Sequence, residues 1–400
     1  MHLAWVSPLP PARSGIADYS AELLPALAQC GQVSLFAPDP WDAACLPGWR
    51  ILPLEALPAE APNLDLIVYH LGNNHYHVGI YDLALRVPGV VVLHDYVIHH
   101  LVARCTIQRG DLAGYVWHLA YERGPAGAAA AVRRAKHIFS EREQFLDPLN
   151  RLLLDRSRGV IVHSHWAAGQ IAQVHPGLPI CQVPHHRASI PPARRSDFRR
   201  QLGVAEHEVV LATFGFITPH KCVDSLLYAY AQLCQEYPHL RCFLVGEADS
   251  CLDLPDWLAR MGLADRVTVT GYVDMEQFQG YMAACDIAVN LRYPSAGETS
   301  GTLVRLLGGG KAVVISNIQQ FAEWPDDVCL KVDPGPAEEA MLLFYLRRLV
   351  QDPRLRGQLG ENARRYMEAH HSLSRSAGGY LAFINQLVTD GHEPGQAAGA

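Results

Sequence analysis

Two doubly wound α/β domains in tandem are what this chain predicts, on three observations. Short apolar runs alternate with amphipathic segments from residue 2 onward. A stretch rich in proline and arginine, residues 184–200, interrupts that alternation. The same alternation then restarts at residue 208. Runs such as the three consecutive valines at 90–92 suit parallel strands covered on both faces.

The first half predicts strands at 2–6, 33–37, 64–70, 90–94, 159–163 and 180–183. A loop at 7–15 with three prolines leads into a helix over 16–29, whose stripe is Tyr19, Leu23, Leu24 and Leu27. Pro25 inside that helix predicts a kink. Residues 101–154 read as mainly helical, broken near Gly124 and Pro125, and a further helix covers 166–174. The second half predicts strands at 208–215, 240–245, 267–270, 287–291, 312–315 and 329–332. Helices fall at 221–236, 254–261, 275–284 and 303–307, and they fill 336–388. The domains expected are therefore 1–187 and 204–372, joined by a linker at 188–203. A C-terminal helix at 373–389 is expected to pack back on the first domain, and 390–400 to form a flexible Gly/Ala/Pro tail.

At 400 residues the chain suffices for two proper cores. Its formal net charge of −7, without any long basic block, argues against a nucleic-acid partner. The ten cysteines are scattered without a CxxC pair, which fits reduced thiols in a cytoplasmic protein. No run reaches the roughly 18 apolar residues of a membrane span, so the expected location is cytoplasmic, with peripheral contact at the inner membrane surface left open.

In doubly wound sheets ligands sit beyond the carboxyl ends of the strands, so the loops there are the candidate site, expected in a cleft between the two domains. Four loops carry suitable chemistry. In 8–18, Gly15 allows close backbone approach at a helix N-terminus that favours phosphate; an ordinary strand-to-helix turn is the alternative. In 90–100, His94 and Asp95 end a core strand, where an imidazole can bond a sugar hydroxyl or orient a leaving group. In 215–221, Lys221 starts a helix where its ammonium can offset phosphate charge. In 293–316, Glu298 precedes Thr299, Ser300, Gly301 and Thr302 at the start of a helix, a plain cap or an anion site. Twenty histidines occur in clusters, but none follows a metal motif such as HExxH, so neither metal nor cofactor is expected. In the helical block, Tyr115 and Trp117 with Arg133, Arg134 and Lys136 could form an acceptor wall or rest on a membrane; helical packing is the alternative for the aromatics.

These pieces together resemble the retaining nucleotide-sugar glycosyltransferases with two Rossmann-like domains facing a central cleft, the GT-B type, in the family glycosyl transferases group 1. The resemblance runs over about residues 1–387. It is carried by FGFITPHK at 214–221, LVGE at 244–247, GYV at 271–273, ACDIAVNLRYPSAGETSG at 284–301 and GGGKAVVIS at 308–316. It implies a donor site in which Gly15, Ile16, Gly215, Lys221 and Ser300 to Thr302 face the diphosphate, with Glu247 and Thr299 alongside. His94 and Glu298 would touch the donor sugar; with Lys221 they form the implied catalytic set. Asp95, Tyr115 and Trp117 are assigned to the acceptor side. The family's loop carries two glutamates in an E-x7-E pattern. Here the second position is Leu306, with Arg305 beside it, and an arginine that often follows the glycine of the 215 loop is Phe216. The implied activity is sugar transfer from a nucleoside-diphosphate sugar to an acceptor hydroxyl of a glycan, glycolipid or protein, with retention. A sugar-nucleotide epimerase using Asp95 and Glu247 as acid and base, or a non-catalytic sugar-nucleotide or glycan-binding protein, are the alternatives.

Overall fold

A computed structural model describes residues 1–38, 45–187 and 195–390. Residues 188–194 of the expected linker and 391–400 of the expected tail lie outside these residues. The chain divides into two compact units. The first contains residues 1–186, 296–299 and the segment from Leu373 onward; the second contains 187–295 and 300–372.

The first unit holds a seven-stranded parallel sheet: β1 (His2–Val6), β2 (Gln32–Ala37), β3 (Ile51–Pro53), β4 (Leu66–Leu71), β5 (Val90–Leu93), β6 (Gly159–Val162) and β7 (Ile180–Gln182). Their spatial order is β3-β2-β1-β4-β5-β6-β7. The order reverses between β1 and β4, the position at which such sheets open a crevice. β4, β5 and β6 are buried on both faces, which is why their sequences are unbroken apolar runs. β3 was not expected: it is three residues long, ends in Pro53, and carries too few positions to show a period. The helix Gly15–Leu27 is capped by the Ser14 hydroxyl, which accepts from the Ile16 amide, and it retains Pro25. The expected helical block resolves into His99–Cys105, Leu112–Arg123, Pro125–Ala135 and Arg151–Asp155, broken where Gly124 takes φ +62°.

The helix Leu373–Thr389 completes this unit. Tyr380, Phe383, Ile384 and Leu387 join the core formed by Trp5, Tyr19, Leu23 and Val183. The Tyr380 hydroxyl pairs with that of Tyr19 at 3.0 Å, and Ser376 donates to the Pro184 carbonyl at 2.6 Å.

The second unit holds a six-stranded parallel sheet: β8 (Val209–Phe214), β9 (Leu240–Val245), β10 (Val267–Val269), β11 (Ile287–Asn290), β12 (Ala312–Ser316) and β13 (Leu330–Val332). Its order is β10-β9-β8-β11-β12-β13, with the reversal between β8 and β11. One expectation is corrected here. Part of the linker, Arg195–Gln201, is a helix of this unit. Its Arg199 is fully buried, bonds Asp286 at 3.1 Å and donates to the carbonyls of Ala284, Ala205 and Glu208. Phe198 occupies the space where a side chain on Gly280 would stand.

Candidate active site

The second unit gathers its candidate residues at the reversal of its sheet. β8 ends in Phe214, and Gly215 turns the chain at φ +84°, a conformation side chains disfavour. The loop comes back so that Lys221, buried, donates from Nζ to the Phe214 carbonyl at 2.5 Å. A Cβ on Gly215 would lie 2.9 Å from that Nζ and 3.5 Å from Thr302 Oγ1. Gly215 thus leaves a notch into which an ammonium and a hydroxyl both point.

Thr302 belongs to the helix Gly301–Gly308, which follows β11. Ser300 caps it: its hydroxyl accepts from the Leu303 amide at 3.2 Å and lies 3.4 Å from Asn290 Oδ1. The Gly301 and Thr302 amides precede the first intrahelical bond, Val304 N–H to the Ser300 carbonyl. They are the orphan donors of a helix start, the positive end of its dipole. The two loops are tied together where the Tyr293 amide donates to the His220 carbonyl at 2.8 Å. An ammonium, a hydroxyl and a helix N-terminus around one notch make an anion site suited to a phosphate group. Buried Arg292, directly after β11, is a further cation that sequence reasoning missed; its position at a strand's carboxyl end was the available signal. Glu247 follows β9, exposed, and its backbone carbonyl accepts from the Ile217 amide. Phe216 is half-exposed.

In the first unit Gly15 is exposed, and no atom stands within 4 Å of where its Cβ would be. Neither packing nor dihedral requires glycine there; its effect is to leave the helix start bare. Ile16, next in the helix, is half-buried, with Cδ1 against Gly72 at the end of β4. Asp95, after β5, accepts from the Asn73 amide at 2.6 Å, which ties the ends of β4 and β5 together. The residues 296–299 also belong to this unit. The Val97 amide donates to the Ala296 carbonyl at 2.8 Å, and Glu298 Oε2 accepts from the Ala296 amide at 2.9 Å. Glu298 and Thr299 are half-buried.

His94 is buried and makes no simple strand-end hydroxyl donor. Its Nε2 lies 2.9 Å from His70 Nδ1 and its Nδ1 lies 3.2 Å from His163 Nε2. Burial first, then the neighbouring imidazoles of His163 and His70, hold its pKa well below the ordinary histidine value.

Of the residues assigned to the acceptor side, Tyr115 is corrected. It is fully buried, and its hydroxyl pairs with His99 Nε2 at 2.7 Å, so it is a core residue. Trp117, on the same helix, is half-exposed and packs on His118 and Tyr121. Among the described residues no group of three or more His, Cys, Asp or Glu is arranged to hold a metal ion.

Residues 194–366 match the family Glycosyl transferases group 1. Alpha-D-kanosaminyltransferase of Streptomyces kanamyceticus is 27% identical over 197 residues, which cover 49% of this chain and 50% of that protein. D-inositol 3-phosphate glycosyltransferase of Streptomyces avermitilis is 27% identical over 317 residues, 75% of this chain and 62% of that protein. The chain thus spans about half to three-fifths of the length of these relatives. Sucrose-phosphate synthase from Thermosynechococcus elongatus has the same fold, at TM-score 0.69 and 19% identity over 98% of this chain and all of that one. So does HepE of Anabaena, solved with UDP and glucose, at TM-score 0.66 and 18% identity over 98% and 99% of the two chains. The fold is the GT-B type, with two Rossmann-like parallel-sheet units.

Proposed function

We propose that this protein is a retaining glycosyltransferase that moves a hexose-type sugar from a nucleoside diphosphate to an acceptor hydroxyl. The observation that carries the reading is the notch at Gly215, lined by the Lys221 ammonium and by the hydroxyl of Thr302 in the first turn of Gly301–Gly308. Negative charge grows on the departing diphosphate as the glycosidic bond breaks. Positive groups fixed in advance at that place stabilise the transition state more than the ground state. Glu298 orients the sugar through its hydroxyls, and His94 shapes the enclosure on the sugar side. Gly15 and Ile16 leave the start of their own helix open for a phosphate. Asp95 and Trp117 serve the acceptor. HepE of Anabaena was solved with UDP and glucose, which supports a nucleotide-sugar donor here.

The protein groups supply the positive charge, so transfer is expected to continue in the presence of a chelator. Loss of activity that magnesium or manganese restores would oppose that assignment. The donor is tested by thermal shift against nucleoside diphosphates and their sugars, because ligand that binds only the folded state raises the midpoint by mass action. No shift with any of them would overturn the reading. Incubation of the stabilising donor alone, then with acceptor glycans and glycolipids, separates transfer from epimerisation.

No helix among the described residues is long and apolar enough to cross a membrane. We place the protein in the cytoplasm with peripheral contact to an anionic membrane face. Exposed Val132 and Ile138 flank exposed Arg133 and Lys136, a mixture of apolar and basic side chains that suits an interfacial surface. Equal sedimentation with anionic and neutral vesicles would remove that contact.

A further inference from the structure

Three histidines on three neighbouring strands of the first unit form a single hydrogen-bonded row. His70 lies in β4, while His94 and His163 directly follow β5 and β6. His163 Nδ1 stands 2.9 Å from the Val183 carbonyl, His163 Nε2 is 3.2 Å from His94 Nδ1, and His94 Nε2 is 2.9 Å from His70 Nδ1. All three rings are buried.

The direction of the row follows from the atom at its start. A carbonyl oxygen only accepts, so His163 Nδ1 carries hydrogen. A neutral imidazole has one N–H, so His163 Nε2 accepts, and His94 Nδ1 must be the donor. His94 Nε2 then accepts in its turn, and His70 Nδ1 donates to it. The row ends at His70 Nε2, which has no hydrogen-bond partner among the described residues; the His70 and Trp5 ring centroids are 4.1 Å apart. Reversing the row while keeping the Val183 bond requires an extra proton. That would bury a cation, which is costly in an enclosed site.

We propose that His163 and His70 are positioning residues that hold His94 as a neutral Nδ1–H imidazole in one orientation, through a one-way row anchored on the Val183 carbonyl. The kinetic part of the proposal rests on the reading of His94 as part of the sugar site. Both ring nitrogens of His94 are spent inside the row, so His94 acts by position and shape and transfers no proton. Its Nδ1–H form is the minority tautomer of free histidine, so the row is visible spectroscopically.

Histidine 15N NMR on the full chain reads the tautomers directly. The wild type is expected to show His70, His94 and His163 as neutral Nδ1–H rings between pH 6 and 8; a hydrogen on Nε2 of His94 overturns the proposal. In His163→Gln the carboxamide oxygen accepts from His94 while its NH2 group reaches Val183, so His94 keeps its tautomer. In His163→Leu the acceptor is gone, and His94 is expected to lose the pure Nδ1–H form; an unchanged signal overturns the positioning role. Turnover should fall roughly tenfold to a hundredfold in His163→Leu, mainly in kcat, and stay within about threefold in His163→Gln. Equal kcat in the two variants overturns the role. If His163→Leu does not fold, His70→Asn, which keeps a donor toward His94, against His70→Leu makes the same comparison. A wild type with the expected tautomers that transfers no sugar from any nucleotide donor defeats the functional reading and leaves the hydrogen-bond row established.

Discussion

Lys221 spends part of its charge on the carbonyl of Phe214 and still faces the notch at Gly215. That tether holds the ammonium in place before any ligand arrives, which is what electrostatic catalysis requires. Lys221→Met keeps most of the volume and removes the charge. It is expected to lower kcat/KM by roughly a hundredfold to a thousandfold, the range seen when one preorganised donor is removed. Steady-state transfer assays with the stabilising donor measure it; unchanged kcat/KM would take Lys221 out of the site. Gly215→Ala meets two obstacles, since φ +84° disfavours a side chain and the new Cβ would press on Nζ. A backbone cost of about 1–2 kcal/mol and weaker nucleotide binding are expected, read by denaturant titration and calorimetry. Lys221, Gly215 and Ser300 were legible in the sequence because each depends on its own strand end. The bonding of His94 was not. Its partners are 24 and 69 residues away, and only the lateral order of β4, β5 and β6 brings the three rings into one row.

At the scale of elements, Arg195–Gln201 shows how a structured segment can look like a linker. Prolines at 191 and 192 and five arginines within 184–200 read as polar and irregular. Yet Arg199 is a core residue of the second unit, tying that short helix to Asp286 and to three backbone carbonyls. A fully buried, multiply bonded arginine cannot be told from a surface one by composition. Arg199→Ala takes one of two arginines from Asp286 and removes the buried donor to the Glu208 carbonyl; it is expected to destabilise the second unit by about 3–5 kcal/mol. Thermal unfolding followed by a probe in that unit checks this, and a midpoint equal to wild type would refute it. The helix Leu373–Thr389 is the other element whose role depends on packing. Its periodicity announced a helix, but its partners, Trp5 and Tyr19, lie at the other end of the sequence. Four large buried side chains there contribute roughly 1.5–3 kcal/mol each before entropy is subtracted. Ending the chain at Ser372 is expected to yield insoluble protein, whereas ending it after Asp390 is expected to be tolerated; expression and solubility distinguish the two.

For the molecule as a whole, acid acts unevenly. Seven histidines of the first unit are held below the ordinary histidine pKa: His70, His77, His94, His99, His100, His118 and His175. Burial is the leading cause in each, lowering His77 and His100 to about 4 and His99 to about 3. In the unfolded chain these groups take up protons near pH 6.5, while in the fold they stay neutral. Between the two values the unfolded state binds more protons, so stability is full above about pH 6.5 and declines as pH falls through that window. His77, His99 and His100 each remove at most about 1.4 kcal/mol per pH unit there. Calorimetry from pH 7.5 to 5 is expected to show the transition of the first unit falling well before that of the second. Two transitions that move in parallel would contradict it. The fold class was legible at this scale because alternation and an interruption are properties of the linear chain.

The helix Leu373–Thr389 also sets an order of events during synthesis. The core around Trp5 and Tyr19 is translated well before the Tyr380, Phe383 and Leu387 side chains that cover it; Tyr19 and Tyr380 are 361 residues apart. The second unit is complete in sequence by Ser372. The first unit is therefore completed after the second, holding an apolar face open while the second unit is translated. Nascent chains arrested after residue 372 should resist protease in the second unit and be cut in the first. Protection of both would mean that the first unit closes without its final helix.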